Sequence, residues 1–182
     1  MLFLRWWHII FFVFETAVST DEGKAMTKDV LISIRGIQFA EESDADPVEV
    51  ITAGEYYLRN GKHYVMYEEV VEGVDSTGKN MIKVGKDSME LTKKGGATST
   101  HMVFEKNKKN VTYYYTPYGS LLIGIDTKKV DIQEKENELK VEVDYELEVN
   151  YEHVADCHIH LQVNEKGTEG FQIVKDEKDD RK

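Results

Sequence analysis

Two histidines and two glutamates near the carboxyl end of the chain have the residue types and spacing of a metal site. His158 and His160 alternate with other residues in a strand-like run, so both side chains point to one side, about 6.5 Å apart. A hairpin that turns at residues 152–154 sets them opposite Glu148 and Glu146. Imidazole and carboxylate groups are typical zinc ligands, so these four side chains have the chemistry to bind a zinc ion. We favour cross-strand charge pairs on the solvent face, because nothing in the sequence buries or orients the four ligands. We therefore expect no metal and no other cofactor, and raised pKa values for both histidines.

A second chemistry would use a carboxylate that is turned into an apolar interior. Glu68 and Glu69 follow Tyr67 in a strand-like run, and burial of a carboxylate there would raise its pKa towards the range useful for acid or base catalysis. Glu68 is the residue that we select as the candidate. Glutamates are more often solvated, and Glu72 and Asp75 nearby favour that interpretation. The chain has no GxSxG, CxxC or phosphate-loop spacing. We predict a protein without catalytic residues, and an enzyme with an inward carboxylate is the weakest alternative.

Tyrosine is the third group, with ten residues in the chain. A tyrosine ring offers a flat apolar surface and one hydroxyl, which suits the wall of a ligand cavity. Tyrosine is also a good strand former, so ordinary packing is the competing interpretation. The residues that we select as candidates to line a cavity are Tyr56, Tyr67, Glu68, Tyr113, Tyr114 and Tyr115.

Short strand-like runs carry all of these residues. The clearest extends from Lys140 to Asn164, where apolar and polar residues alternate through two strands. Asn60-Gly61 suits a type I′ turn and predicts a hairpin with Tyr56 opposite Val65 and Gly54 opposite Tyr67. Residues 116–119, TPYG, predict a second tight turn, which sets Tyr114 opposite Leu121.

The strand-like runs number about ten, and no segment keeps apolar residues at helical spacing over the length of a mean helix. Gly124, inside a long returning strand, indicates a bulge or a bend. Short antiparallel links without crossover helices predict a single all-β domain, an antiparallel up-and-down β-barrel of about ten strands.

The charge balance disfavours two classes of partner. With 34 acidic and 23 basic side chains the net charge is -11, which repels phosphate backbones and anionic lipid head groups. We therefore expect binding neither to nucleic acid nor to a membrane surface. The single cysteine, Cys157, excludes an intrachain disulfide and favours a reducing compartment.

The first 25 residues do not share the strand pattern. Their apolar run, residues 1–14, is interrupted by Arg5 and His8 and is shorter than the roughly 18 residues that a spanning helix needs. A signal peptide would need a small-residue cleavage site, and none follows convincingly. The pattern begins at Met26, so we expect a mis-assigned start, a barrel domain over residues 26–165, and a charged tail over residues 166–182.

Several phrases of the chain resemble the YwiB-like family of bacterial proteins of unknown function, which are calycin-like (lipocalin-type) β-barrels. The phrases are VLISIRG, YYLRNGKHYVMYEE and YYTPYGSLLIGIDT, and the resemblance extends from Lys28 to Val163. It implies a barrel fold and a cytoplasmic bacterial setting, and it brings no catalytic residues. We therefore expect a soluble, non-enzymatic barrel that binds a small, partly apolar ligand in its interior. The alternative is a filled barrel that serves as a scaffold for protein interactions.

Overall fold

The computed structural model describes residues 29–36, 49–70, 77–95 and 98–167. Every regular element in these ranges is a β-strand, so the prediction of an all-β chain with about ten strands is confirmed. The strands are β1 (Asp29–Arg35), β2 (Glu49–Arg59), β3 (Lys62–Val70), β4 (Thr77–Val84), β5 (Ser88–Lys94), β6 (Thr100–Glu105), β7 (Lys108–Thr116), β8 (Gly119–Lys135), β9 (Glu138–Val149) and β10 (Glu152–Glu165). Within the described residues, no helix is long and apolar enough to cross a membrane.

The ten strands form one antiparallel sheet in the order β6-β5-β4-β3-β2-β1-β10-β9-β8-β7. Strands that follow each other in sequence are neighbours in the sheet, except β6 and β7 at its two ends, and β1 pairs with β10. The two ends of the sheet meet where Ser99 and Tyr115 exchange backbone hydrogen bonds of 3.0 and 3.1 Å. The sheet is therefore a nearly closed up-and-down barrel, as predicted, with its seam between β6 and β7.

Alternate residues of each strand fill the barrel. In β9 the inward residues Leu139, Val141 and Val143 are fully buried, whereas the intervening residues stay half-exposed. Each such aliphatic side chain contributes about 1.5–3 kcal/mol through burial. Phe104 of β6 packs edge-on against Tyr145 of β9 with ring centroids 5.1 Å apart. These two strands are not neighbours, so their contact crosses the interior and fills it.

Two predicted turns are confirmed. Asn60 and Gly61 have φ of 53° and 67°, and the hairpin that they close sets Tyr56 opposite Val65. Asparagine and glycine tolerate these left-handed conformations, which a type I′ turn requires at both centres. The turn at residues 117–118 sets Tyr114 opposite Leu121 in the same manner.

The turn between β9 and β10 differs from its predicted position. It lies at Asn150 and Tyr151, with φ of 52° and 70°, and not at residues 152–154. A bulge between His153 and Ala155 then shifts the register of β10. The two-residue turn matches the twist of the flanking strands. The predicted cross-strand partners of the β10 histidines are therefore wrong.

Gly124 also differs from expectation, because it stays in a regular ladder, and the bulge of β8 lies between Thr127 and Lys129. A Cβ atom at Gly124 would lie 3.1–3.2 Å from Glu148 and 3.5 Å from Lys109. The glycine thus makes room for the ion pair between these two side chains, whose Nζ and Oε2 atoms are 2.6 Å apart. The predicted extension, residues 1–25, and residues 168–182 of the predicted tail lie outside the described residues.

Candidate functional site

The barrel wall is split between β2 and β3. The ladder that joins these strands ends at Glu55 and Met66. Beyond this point, β2 remains paired with β1, and β3 remains paired with β4. The predicted pairing of Gly54 with Tyr67 is therefore wrong, because the two strands have already separated there.

Gly54 marks the point where the strands separate. A Cβ atom at this position would lie 2.4 Å from Ile32 Cδ1 and 2.5 Å from the carbonyl oxygen of Met66. Both distances are shorter than any normal contact, so only glycine fits beside this buried neighbour and this backbone. The glycine thus lets the β1 side chain and the β3 backbone approach closely at the residue next to Glu55, where the ladder ends.

A cleft of about 560 Å³ opens at the split. This volume is within the range of small-molecule sites, about 300–1,000 Å³. The cleft is lined by residues of four strands, which are Ala53, Gly54, Glu55, Met66, Tyr67, Glu68, Lys79, Asn80, Met81, Thr92 and Lys94.

The lining combines an apolar floor with charged sides. Met66 of β3 and Met81 of β4 are direct cross-strand partners and form the apolar part. Methionine side chains are flexible and polarizable, so they adapt to ligands of different shape. The carboxylates of the lining are on β2 and β3, and its lysines are on β4 and β5.

The inner end of the cleft is polar. Tyr67 and Asn80 are both buried and face the barrel interior. Asn80 Nδ2 donates a hydrogen bond of 3.4 Å to Glu69 Oε2, and Lys93 Nζ lies 3.5 Å from the same oxygen. Burial, and after it the negative charge of Glu69, raise the pKa of the Tyr67 hydroxyl above its usual range.

The inward carboxylate is thus Glu69 and not the predicted Glu68. Residues alternate along β3, so Tyr67 and Glu69 share the inner face, whereas Glu68 is exposed on the outer face. The two glutamates are adjacent in sequence, and adjacent residues of a strand point to opposite faces of the sheet. Glu69 is held by a lysine and an amide, so it is an ion-paired group.

The structure separates the predicted lining tyrosines into two sets. Tyr56 and Tyr67 are buried and inward, and Tyr114 packs against the core. Tyr113 and Tyr115 are 52% and 55% exposed on the outer face of β7. These two, like Glu68, do not line the barrel, because alternation along the strand places them opposite to Tyr114.

A hydrogen-bonded network at the other end of the β2–β3 hairpin was not predicted. The Tyr56 hydroxyl and His63 Nδ1 form a hydrogen bond of 2.8 Å, and His63 Nε2 lies 3.8 Å from Glu134 Oε2. Burial and the charge of Glu134 raise the pKa of Tyr56 to about 12. Burial lowers the pKa of His63, and Glu134 opposes this effect only in part. The sequence feature from which this network could have been predicted is the register of the β2–β3 hairpin, which places His63 on the inner face beside Tyr56.

The β10 histidines face other carboxylates than those predicted. His158 Nδ1 lies 2.5 Å from Asp144 Oδ1, and His160 Nδ1 lies 3.8 Å from Glu142 Oε1. Burial lowers the pKa of His160 more than Glu142 raises it, so the predicted rise is wrong for this residue.

The two glutamates that were considered as metal ligands pair with lysines. Glu146 lies 3.2 Å from Lys128, and Glu148 lies 2.6 Å from Lys109. The four residues considered as zinc ligands, these two and the β10 histidines, are therefore not brought together. Across the described ranges, no three or more histidine, cysteine, aspartate or glutamate side chains are grouped closely enough to hold a metal ion.

The architecture defines a class, a small, nearly closed antiparallel β-barrel of the calycin-like type, in which the β2–β3 ladder ends early. The chain belongs to the family described as Domain of unknown function (DUF1934), whose sequence profile matches residues 32–161. The crystal structure of ywiB protein from Bacillus subtilis is similar, with a TM-score of 0.61 and 19% sequence identity. The alignment covers 79% of this chain and 94% of that chain. The similarity shows the fold alone at this identity, and it confirms the resemblance. No curated protein matches the chain.

Proposed function

We propose that the protein binds a small, partly apolar molecule in the cleft between β2 and β3 and does not transform it. The observation that carries this proposal is the early end of the β2–β3 ladder, which opens about 560 Å³ beside Met66 and Met81. A concave, partly apolar site with a few convergent polar groups is typical of small-molecule binding.

This location differs from the barrel interior, where we expected the ligand from the sequence. Phe104 and Tyr145, from strands that are not neighbours, pack against each other inside the barrel, and the other inward residues of β9 are buried. A ligand in the wall keeps these contacts intact and still reaches the inward groups Tyr67 and Asn80.

Catalysis is not part of the proposal. Glu69, the inward carboxylate, is already engaged in an ion pair with Lys93 and a hydrogen bond from Asn80. The Tyr56–His63 pair is buried at the other end of the hairpin, away from the cleft. We also propose a cytoplasmic location, in keeping with a half-buried thiol at Cys157, whose pKa burial raises.

Native mass spectrometry of the protein purified from its source cell tests the proposal. We expect a mass adduct that survives gentle desolvation and is lost on unfolding. Ala53→Trp should remove the adduct, because residue 53 lines the cleft and a large ring would fill it. Ile51→Trp is the matched control, since it adds a similar ring on the same outer face of β2, outside the cleft lining.

Two results would contradict the proposal. The first is a wild-type protein without any adduct whose melting temperature is not raised by a panel of small amphiphiles. The second is an adduct that Ala53→Trp and Ile51→Trp leave equally intact. In either case the scaffold alternative takes the place of ligand binding.

A further inference from the structure

We infer that the ligand of the cleft carries one oxyanion head, a carboxylate or a phosphate, which Lys79 and Lys94 bind while Met66 and Met81 contact its apolar body. This inference rests on the proposed function, because it names the chemical class of the ligand for the same cleft.

The two lysines are direct cross-strand partners in the ladder of β4 and β5, and both line the cleft. Side chains directly opposite each other in a ladder have Cβ atoms about 4.5–5.5 Å apart, and like charges in that position destabilise the sheet. The same ladder also contains a pair of opposite charges, which is the usual arrangement of charged residues across a ladder. Lys83 lies opposite Glu90, and its Nζ is 2.7 Å from Glu90 Oε1.

Neither lysine of the pair is engaged by a carboxylate among the described residues. Glu68 lies opposite Lys79 in the neighbouring ladder, but no salt bridge connects Lys79 or Lys94 with another described residue. An oxyanion between the two ammonium groups would accept a hydrogen bond from each.

The distribution of charge limits the ligand to one anionic group. The carboxylates Glu55 and Glu68 lie on the β2 and β3 side of the cleft, opposite to the lysines. A second anionic group on the ligand would meet these carboxylates, where like charges repel. The head of the ligand therefore lies on the β4–β5 side.

The position of the apolar body follows from the register. The Met66–Met81 pair is two residues along the ladder from Glu68–Lys79, which is about 6.5 Å. A head at Lys79 therefore places the first methylene groups of an attached chain over the two methionines. The ligand class that fits is a small amphiphile with an oxyanion at one end.

Calorimetric titration with four probes of one chain length tests the inference. The probes are octanoate, octyl phosphate, octan-1-ol and octyltrimethylammonium, each below its micellar concentration. We expect at least one of the two anions to bind about tenfold more tightly than the alcohol, and the ammonium probe more weakly still. The tighter anion identifies the head as carboxylate or phosphate.

Substitution of the lysines locates the effect. Lys79→Met and Lys94→Met should each weaken binding of the tighter anion about tenfold and leave the alcohol unchanged. Lys79→Arg should retain binding, because it keeps the charge. Lys83→Met is the matched control. Lys83 lies in the same β4–β5 ladder, but its cross-strand partner is Glu90 and it is outside the cleft lining.

The outcomes distinguish this inference from the proposed function. If all four probes bind equally and Ala53→Trp abolishes their binding, the cleft is a ligand site and the oxyanion inference is wrong. The inference also fails if none of the probes binds, or if Lys79→Met and Lys94→Met bind the anion as the wild type does. The proposed function is then still decided by the co-purifying adduct and its loss in Ala53→Trp.

Discussion

The barrel has two walls of different construction. The wall made of β8, β9 and β10 consists of strands of 17, 12 and 14 residues whose ladders continue along nearly their whole length. In the wall made of β2 to β5, the ladder of β2 and β3 ends early and a cleft opens. Both walls have the same alternation of apolar and polar residues. The same alternation of residues therefore forms a continuous wall where the ladder is complete, and it leaves a cleft where the ladder is interrupted.

The outer charges of the two walls differ in the same way. On β8 and β9, Lys129 lies 3.5 Å from Glu142, and Lys128 lies 3.2 Å from Glu146. On β4 and β5, two lysines face each other across the ladder at the cleft. On the complete wall these lysines are therefore ion-paired, whereas Lys79 and Lys94 at the cleft form no salt bridge with another described residue.

Truncation of the core should have the largest effect, and truncation at the cleft a much smaller one. Leu161→Ala in β10 removes a fully buried side chain and should lower the free energy of unfolding by about 2–5 kcal/mol. Met81→Ala, at the half-exposed floor of the cleft, should lower it by about 1 kcal/mol. Urea unfolding of both variants measures the difference. Equal losses would contradict the assignment of Met81 to the cleft and not to the core.

Added methyl groups should distinguish the two glycines that face neighbouring strands. Gly54→Ala should destabilise the protein by about 1–3 kcal/mol, since the new Cβ atom meets a buried side chain and a backbone oxygen. Gly124→Ala in the complete wall should cost less than about 1 kcal/mol, because Glu148 and Lys109 are on the surface and can move. Thermal unfolding compares them. A larger loss for Gly124→Ala would disprove the close approach at the split.

The dependence of stability on pH should reveal the network at the closed end of the β2–β3 hairpin. Burial lowers the pKa of His63 in the folded protein, so below the unfolded value of about 6.5 the unfolded chain binds more protons. The stability that His63 contributes is therefore present above pH 6.5 and is lost as pH falls through its lowered folded pKa. Urea unfolding from pH 5 to 8 should show a shallower slope for His63→Gln than for the wild type.

A second variant tests the half-buried imidazole of His160 beside that of His63. Burial also lowers the pKa of His160, so His160→Gln should change the slope in the same direction and independently of His63→Gln. Tyr56→Phe should lower stability by about 1 kcal/mol through loss of the hydrogen bond to His63. Parallel curves for wild type and His63→Gln would show that this histidine does not contribute.

Reversal of one cleft charge should have the smallest effect and the opposite sign. Lys94→Glu replaces a like-charge pair by an opposite-charge pair and should raise the free energy of unfolding by about 0.2–1 kcal/mol at low salt. Lys83→Glu, in the same ladder, sets two carboxylates opposite each other and should lower it by a similar amount. Both changes should shrink at high salt, because ions screen surface charges. A destabilised Lys94→Glu protein would show that the lysine pair is not repulsive.

Local features of the sequence were sufficient for the general architecture. The period-two pattern identified the strands, and Asn60-Gly61 and residues 117–118 identified two turns and their registers. These features are predictable because alternation and turn chemistry depend on residues close together in the chain. At residues 150–154, local chemistry did not discriminate between a turn at Asn150-Tyr151 and a turn at residues 152–154, and the β10 histidines received the wrong partners.

The sequence by itself therefore determined an all-β barrel of about ten strands and the identity of its polar and aromatic residues. Only the tertiary structure decided which face of each strand is inside, so that Glu69 and not Glu68 points inward. It also decided where β2 and β3 separate and that Lys79 and Lys94 meet at the cleft. The physical reason is that a period-two pattern shows that successive residues point to opposite faces of a strand. It shows neither which of the two faces is inside nor which residues of other strands lie beside it. Those depend on contacts between residues far apart in the chain, such as Gly54 with Ile32 and Phe104 with Tyr145.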